Sequence, residues 1–338
     1  MNFRPGTQWE RDLLPSIAPI FRIDLNKKIA CLIGTGFWIS QQGHLVTAKH
    51  VIQDNIDGKG NDKGPIFAVQ TRSDRSIICR GLSSSDIHPL FDLALAETYI
   101  PGGVSEQTQP LPISLDFLDV KDAVCSFAVF SYDQIYENPA EGFTYIKFTG
   151  SLCTEYVNNV LTIQFAIGFS FGEVEAIFEE KRDSVMLPFP CIETSVRIYG
   201  GNSGGPLINS CGRVCGIHCS SYDRQNISYH VPSHGLLSLR VTTKSLGIED
   251  GYSKFRSLME LALNQKLDCS PPLLDESRML RSCLLWIQYA LKCKFNNETI
   301  SEDIIFGQSK SNSDPNFFHK YTSTISLSVL KLMIRILR

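Results

Sequence analysis

Short apolar runs alternate with turn-forming residues over the first two thirds of the chain. Between residues 17 and 238 the runs are enriched in β-branched and aromatic side chains, and clusters of Gly, Pro, Asn, Asp and Ser separate them. This pattern predicts β-strands. The predicted strands cover residues 29–39, 44–48, 66–71, 93–97, 123–130, 145–152, 160–165, 206–208, 214–220 and 228–231. Many short strands at such spacing favour barrels or a sandwich.

The pattern changes after about residue 240. Apolar residues recur every three or four positions in residues 255–267 and 277–292, which predicts amphipathic helices. We therefore expect a helical C-terminal extension over residues 241–338. Either a small bundle or a module that binds a regulatory partner agrees with this pattern. The final residues 325–338 mix apolar and basic side chains and suit either a buried helix or a membrane interface.

Composition narrows the class of protein. The chain has 338 residues, of which 43% are hydrophobic, so it has ample material for a core. Its formal net charge of -3 argues against a nucleic-acid binder that works through a general basic surface. It contains no uninterrupted apolar stretch of the roughly 18 residues that a membrane-spanning helix needs.

The N-terminus and the cysteines predict a cytoplasmic protein. The first fifteen residues are polar and lack the apolar core of a secretory signal. The eleven cysteines are odd in number and scattered, which is more typical of reduced thiols than of a disulfide framework.

One glycine-rich segment carries the strongest chemical signal. Residues 200–207 read Gly-Gly-Asn-Ser-Gly-Gly-Pro-Leu, which places Ser203 in a loop open to backbone conformations that only glycine readily adopts. Successive amides in such a loop can converge on the oxyanion of a tetrahedral intermediate. The alternative is an ordinary glycine-rich turn.

A serine nucleophile needs a base, and the sequence offers one with an orienting carboxylate. His50 follows the apolar run 44–48, and Asp92 precedes the alternating apolar run 93–97. Taken singly, His50 reads as a surface residue and Asp92 as a turn former. Together with Ser203 they form an arrangement in which each of the three has a purpose.

These segments resemble the trypsin-like serine proteases of the chymotrypsin superfamily. The resemblance rests on Thr-Ala-Lys-His at 47–50, Asp-Leu-Ala-Leu at 92–95 and Gly-Asn-Ser-Gly-Gly-Pro at 201–206, and it is closest in texture to HtrA-type members. Gly-Thr-Gly-Phe-Trp-Ile at 34–39 and Tyr-His-Val-Pro-Ser at 229–233 also match. The resemblance covers residues 17–240, after a 16-residue N-terminal extension.

The resemblance implies a mainly β fold of two six-stranded antiparallel barrels, with a boundary near residues 115–125. It implies that His50 is the general base, Asp92 its orienting carboxylate and Ser203 the nucleophile, and that the amides of Gly201 and Ser203 form the oxyanion hole. Val51 follows His50 where secreted members carry a cysteine. Residues beyond 240 do not resemble the PDZ module that HtrA-type enzymes usually carry.

The strand after Ser203 suggests a specificity. Gly-Ile-His at 216–218 resembles glutamyl endopeptidases and picornaviral main proteases, which implies that His218 faces the substrate. An imidazole donates to a carboxylate or an amide oxygen. Arg197 would reinforce a preference for acidic side chains if it points into the pocket. The alternatives are a strand histidine that bonds a neighbour and a surface arginine.

A metal site is not expected. Cys211, Cys215 and Cys219 recur every four residues, but four residues of a strand span about 13 Å, too far for one tetrahedral ion.

The sequence therefore predicts a serine endopeptidase that needs no cofactor and acts on a protein or peptide. It prefers Glu, Gln or Asp before the scissile bond. The alternative is a catalytically inactive or latent fold of the same family that binds peptides as a regulatory module.

Overall fold

The computed structural model describes residues 13–55, 64–72, 74–103, 105–131, 144–154, 157–222, 227–242, 255–263 and 266–270. The chain divides into two compact units, Met1–Leu239 and Arg240–Arg338. The domain limits expected from the sequence, 17–240 and 241–338, stay a prediction.

The first barrel is built from six antiparallel strands in the order β1-β2-β3-β6-β5-β4, and the pairing of β1 with β4 closes it. A short 3-10 helix (Leu14–Ser16) leads into β1, and helix α1 (Lys49–Gln53) follows β3. Its buried core includes Ile20, Trp38, Leu45 and Val51. The strands are β1 (Ile17–Asp24), β2 (Ile29–Trp38), β3 (His44–Thr47), β4 (Ile66–Thr71), β5 (Ile77–Ile87) and β6 (Ala94–Tyr99).

The second barrel also closes. Its strands run in the order β8-β10-β11-β14-β13-β12, and β12 pairs with both β13 and β8. Two further strands lie outside the ring: β9 pairs with β10, and β7 runs parallel to β13. A 3-10 helix (Ser233–Ser238) follows β14. The strands are β7 (Ile113–Ser114), β8 (Ala123–Ser131), β9 (Thr144–Thr154), β10 (Val157–Phe178), β11 (Cys191–Thr194), β12 (Pro206–Asn209), β13 (Val214–Tyr222) and β14 (Ile227–Pro232). The prediction of two six-stranded antiparallel barrels is confirmed.

The second unit corrects the prediction of a helical extension. β15 (Arg240–Thr242) pairs antiparallel with β16 (Phe255–Ser257), so the start of the predicted helix 255–267 is a strand. Within the described part of this unit, the helical spacing is realised in α2 (Leu258–Leu263), which buries Leu258 and Leu261, and β17 (Cys269–Ser270) comes after it. An α-helical C-terminal region is therefore not supported. The predicted segments 277–292 and 325–338 lie outside the described residues.

None of the helices in the described ranges is long and apolar enough to cross a membrane.

Candidate active site

His50 is held at the end of a buried strand. All four residues of β3 are buried, and the chain turns at Ala48 into the first turn of α1. Val51 and Ile52 anchor that helix in the core with side chains 2% and 4% exposed. His50 itself keeps 39% of its side chain exposed, so the ring is fixed at the barrel edge and remains accessible.

Asp92 is presented by a tight turn that a second histidine shapes. The backbone amides of Leu90 and Phe91 both donate to Nδ1 of His88, at 3.2 and 2.8 Å, and the His88 ring stacks on Phe91 with 4.4 Å between centroids. Burial, and then the positive charge of Lys49, lowers the pKa of His88 to about 3, so the ring stays neutral and Nδ1 can accept both bonds. No sequence motif indicated this role of His88, because it depends on the conformation of the turn.

Asp92 binds His50 through both carboxylate oxygens. Its Oδ2 lies 2.7 Å from His50 Nδ1, and its Oδ1 accepts the backbone amide of His50 at 3.0 Å. Burial by itself would lower the pKa of His50, but the hydrogen bond and charge of Asp92, with a contribution from Asp54, raise it overall. This pair fixes Nδ1 as the donor and leaves Nε2 free to take a proton from a nucleophile.

The loop around Ser203 is a short, heavily bonded segment between β11 and β12. The Asn202 amide donates to Tyr199 O at 3.0 Å, and the Gly205 amide donates to Asn202 O at 3.0 Å. The Gly204 amide donates to His218 O at 2.8 Å, which ties the loop to β13.

Two glycines of this loop have positive φ. Gly201 has φ +92° and Gly204 has φ +85°, a region that other residues rarely adopt. A Cβ at Gly204 would also collide with Thr47 Oγ1 and Thr35 O of the first barrel. The glycines therefore allow the loop to adopt its turn and to approach the strands that lead to His50.

Ser203 lies close to the helix that carries His50. The amide of Thr35 donates to Ser203 O at 2.9 Å. A Cβ built on Gly34 would lie 2.6 Å from the Val51 side chain and 3.2 Å from Ser203 O, so the neighbour of His50 and the Ser203 backbone flank the same point. Within the described residues, however, no hydrogen bond joins the Ser203 hydroxyl to His50.

Two amides of the loop are left without an acceptor. Among the described residues, the N–H groups of Gly201 and Ser203 donate no hydrogen bond, although those of Asn202, Gly204 and Gly205 all do. The two predicted oxyanion donors are therefore the loop amides that remain available to an anionic oxygen.

His218, which the resemblance placed against the substrate, is bonded to neighbours inside the second barrel. It is fully buried, and its Nε2 contacts Ser126 Oγ at 2.8 Å and Phe127 O at 3.2 Å. Its Nδ1 lies 2.8 Å from Nδ1 of His230, whose Nε2 lies 2.7 Å from Thr194 Oγ1. Because a carbonyl only accepts, Nε2 of His218 carries the proton. In this structure the His218 side chain lies in the interior of the second barrel.

Burial also removes the charge of this pair. It lowers the pKa of His218 to about 3 and that of His230 well below its ordinary value. The sequence could not show the burial of His218, because strand periodicity does not reveal which side chains the closed barrel buries.

Arg197 lies half-buried on the segment that leads from β11 to the nucleophile loop.

Two of the three cysteines near the site are buried thiols. Cys215 Sγ donates to Leu207 O at 3.3 Å and Cys219 Sγ to Tyr229 O at 3.1 Å, and burial raises the pKa of both. Cys211 is exposed on the preceding turn. The part of the chain that the structure describes holds no group of three or more His, Cys, Asp or Glu residues placed to bind a metal ion.

Comparison with known proteins points to one family. The model of the trypsin-like peptidase domain matches residues 34–217, which is more than half of this chain. A curated relative from Marinomonas sp. (strain MWYL1), a probable periplasmic serine endoprotease that is DegP-like, is 27% identical over 223 residues. That match covers 64% of this chain and only 36% of the relative's length.

Solved structures give distant matches. The crystal structure of Deg5 is 18% identical, with a TM-score of 0.47, and the match covers 72% of this chain and 96% of that one. The serine endoprotease from Yersinia pestis is 19% identical, with a TM-score of 0.40 and a coverage of 68% and 64%.

Proposed function

Because the chain belongs to the family of trypsin-like peptidase domains, as its motifs predict, we propose that it is a serine endopeptidase with Ser203 as nucleophile, His50 as general base and Asp92 as orienting carboxylate. The observation that supports this most strongly is the double hydrogen bond of Asp92 to the ring and the backbone of His50. The alternative, a surface histidine beside an aspartate that only forms a turn, does not require the aspartate to bond both the ring and the backbone of that histidine.

The proposed reaction begins with acylation. Ser203 Oγ attacks the carbonyl carbon of the peptide bond and passes its proton to His50 Nε2. Asp92 stabilises the imidazolium that forms, and the amides of Gly201 and Ser203 donate to the developing oxyanion. The imidazolium then protonates the leaving amine, the C–N bond breaks, and Ser203 carries the acyl group.

Deacylation repeats these steps with water. His50 removes a proton from a water molecule, the hydroxide attacks the acyl carbon, and the proton returns to Ser203 as the ester bond breaks. Every proton is carried by His50, so the proposed mechanism uses no metal or organic cofactor.

Cleavage of a peptide library tests the proposed activity. The wild-type protein is expected to generate new N-termini, and Ser203→Ala is expected to lose that activity by about three orders of magnitude or more. His50→Ala should fall to the same level, because the two residues act as a unit. Equal cleavage by wild type and Ser203→Ala would contradict the proposal.

A preference for Glu, Gln or Asp before the scissile bond is a finer proposal, and it now depends on Arg197. His218 is neutral and engaged at both ring nitrogens, so it offers no positive charge to an acidic side chain. In the same library, Arg197→Ala should weaken cleavage after Glu more than cleavage after Gln. Cleavage mainly after Lys, Arg or large apolar residues would contradict this preference.

A latent or inactive peptide-binding form is a second candidate function. It is favoured by the missing hydrogen bond between Ser203 and His50 among the described residues, although such bonds often tighten only on substrate binding. A fluorophosphonate probe separates the two, since an active site is labelled under native conditions and a misaligned one is not.

The substrate, the cellular location and the partners of the protein are also proposals. The curated relative is named as a serine endoprotease, and on that likeness we propose a protein or peptide substrate. The same name places that relative in the periplasm, whereas the eleven cysteines of this chain favour the cytoplasm. A regulatory partner for residues 241–338 stays a prediction.

A further inference from the structure

Every polar atom of Thr35 is hydrogen-bonded, and its amide and hydroxyl connect the first barrel to the nucleophile loop. Its amide donates to Ser203 O at 2.9 Å, and its hydroxyl donates to Gly201 O at 2.7 Å. The same hydroxyl accepts the amide of Val129 at 3.1 Å, and the Thr35 carbonyl accepts the hydroxyl of Thr47 at 2.7 Å. Thr35 is 0% exposed, so water does not replace these bonds when they are lost.

Val129 provides the anchor on the second barrel. It lies on β8 opposite Ile167 of β10, whereas β12 pairs with β8 only up to Ser126. Beyond that point the edge of β8 is free to bond side chains. The Val129 amide donates to the Thr35 hydroxyl. The Val129 carbonyl accepts from the side-chain amide of Asn202 at 3.0 Å, in the orientation in which the Asn202 side-chain oxygen accepts the Tyr199 amide.

The bonds of Thr35 fix two peptide groups that flank the Ser203 amide. In the Gly201–Asn202 peptide, the carbonyl accepts from the Thr35 hydroxyl and the N–H is bonded within the loop. In the Ser203–Gly204 peptide, the carbonyl accepts from the Thr35 amide and the N–H is bonded to β13. Both peptides are therefore held at both ends.

The peptide group between them is held at one end only. The Asn202 carbonyl accepts the Gly205 amide, while the Ser203 N–H has no acceptor within the described part of the chain. With both neighbouring peptides fixed, the direction of this N–H is determined as well. It is one of the two proposed oxyanion donors.

From this arrangement we infer that Thr35 is a positioning residue, whose hydroxyl helps to aim the Ser203 N–H, one of the two proposed oxyanion donors, by holding the Gly201 carbonyl against strand β8. The inference rests on the proposed function for its catalytic consequence. Its structural part, that the hydroxyl orders the loop, stands without that function.

Three variants test the role of the hydroxyl. Thr35→Val keeps the shape and leaves Gly201 O and Val129 N unbonded, whereas Thr35→Ser keeps the hydroxyl. Thr71→Val is the matched control, because Thr71 is 1% exposed in the same barrel and its hydroxyl bonds Leu14 O, away from the loop. If Thr35→Val does not fold, Thr35→Ala removes the same hydroxyl without adding a methyl group.

The first measurement is the rate of fluorophosphonate labelling under conditions in which every variant is fully folded. Thr35→Val should label about 10- to 100-fold more slowly than wild type, because misaimed donors stabilise the transition state less. Thr35→Ser and Thr71→Val should stay within about 3-fold. Equal rates for Thr35→Val and wild type, or a loss in Thr35→Ser as large as in Thr35→Val, would overturn the inference.

The second measurement is amide hydrogen exchange of residues 199–205, which does not need an active enzyme. Thr35→Val should speed exchange at Asn202, Gly204 and Gly205 and leave the β8–β10 amides unchanged. Thr71→Val should change neither. If the wild type is not labelled at all but the loop exchanges faster in Thr35→Val, the proposed function fails and the structural role of Thr35 holds. Unchanged exchange in Thr35→Val overturns the role of Thr35 whatever the activity.

Discussion

His50 decides at which pH the site can react. Only the neutral ring accepts the proton of Ser203, and Asp92 raises the pKa of His50 in spite of its partial burial. The other five histidines of the described residues, which are His44, His88, His218, His230 and His234, have pKa values that burial lowers. His50, which the sequence motif identified, is therefore also the described histidine whose pKa is raised and not lowered.

The pH profile of activity follows from this shift. Because the pKa of His50 lies above the ordinary 6.5, kcat/KM should be depressed at pH 6.5 and rise to a plateau at higher pH as the ring loses its proton. Asp92→Asn should lower that pKa, since burial remains and the charge is gone, and should reduce kcat by about 10⁴-fold. Histidine NMR titration of both proteins measures the pKa. An unchanged His50 pKa in Asp92→Asn would contradict this account.

Single residues differ in how far the sequence predicts them. His50, Asp92 and Ser203 stand in local motifs, so a reader of the sequence could name them. Thr35 acts through bonds to residues that are far away in the sequence and come near only in the fold. His88 acts on its chain neighbours Leu90 and Phe91, but only because the turn brings their amides to its ring. The resemblance of Gly-Ile-His at 216–218 implied that His218 faces the substrate, and the structure shows that its side chain is completely buried.

At the scale of elements, apolar runs between turn-forming residues predicted most of the strands. Strands whose sequence interrupts that pattern were missed. β1 contains Pro19 and β5 has a polar second half, so neither gave a clear signal. β10 extends to Phe178, well past the predicted end at 165, because Gly168 and Gly172 serve close packing and do not break the strand.

The nucleophile loop gives a prediction at this scale. Gly204→Ala combines a positive φ with a collision against Thr35 and Thr47, whereas Gly102→Ala has a similar φ of +86° and open space around the Cβ position. Gly102→Ala should cost about 1 kcal/mol of the free energy of unfolding. Gly204→Ala should cost about 3 kcal/mol or more and abolish labelling of Ser203.

Urea unfolding of the two glycine variants measures both costs. The difference between them isolates the close approach of the loop to the first barrel. Equal losses in the two variants would mean that the backbone conformation alone explains the requirement for glycine at 204.

At the scale of the whole molecule, the strand pattern predicted barrels or a sandwich, the resemblance to trypsin-like proteases implied two six-stranded barrels, and the structure confirms the two barrels. The helical C-terminal region is not supported, because residues with helical spacing at 255–257 pair as a strand with residues 240–242. Local spacing could not reveal that pairing, since it depends on a partner thirteen or more residues away in the chain.

Acid should destabilise the barrels before their carboxylates titrate. His44, with a pKa of about 4, and His88 and His218, with pKa values of about 3, are neutral in the folded protein and take up protons when it unfolds. The free energy of unfolding should therefore fall as pH drops below 6.5, by up to about 1.4 kcal/mol per pH unit for each such histidine. Urea unfolding between pH 7 and pH 5 checks this, and a constant free energy over that range would contradict it.

The thiols test the location inferred from the sequence. Eight cysteines are free among the described residues, and the sequence contains eleven. Protein purified without reductant should give eleven reactive thiols in denaturant. In the native state the exposed Cys211 should react first, because burial raises the pKa of Cys79 and Cys191 to about 12. Fewer than eleven thiols in denaturant would indicate disulfides and an oxidising compartment.

The central claim is that Ser203 is the nucleophile and that the His50–Asp92 pair activates it. The most direct measurement is fluorophosphonate labelling of the native protein followed by tandem mass spectrometry that locates the adduct. The account predicts one adduct on Ser203, lost in Ser203→Ala and formed far more slowly in Asp92→Asn. An adduct on another serine, or a native protein that forms none, would contradict it.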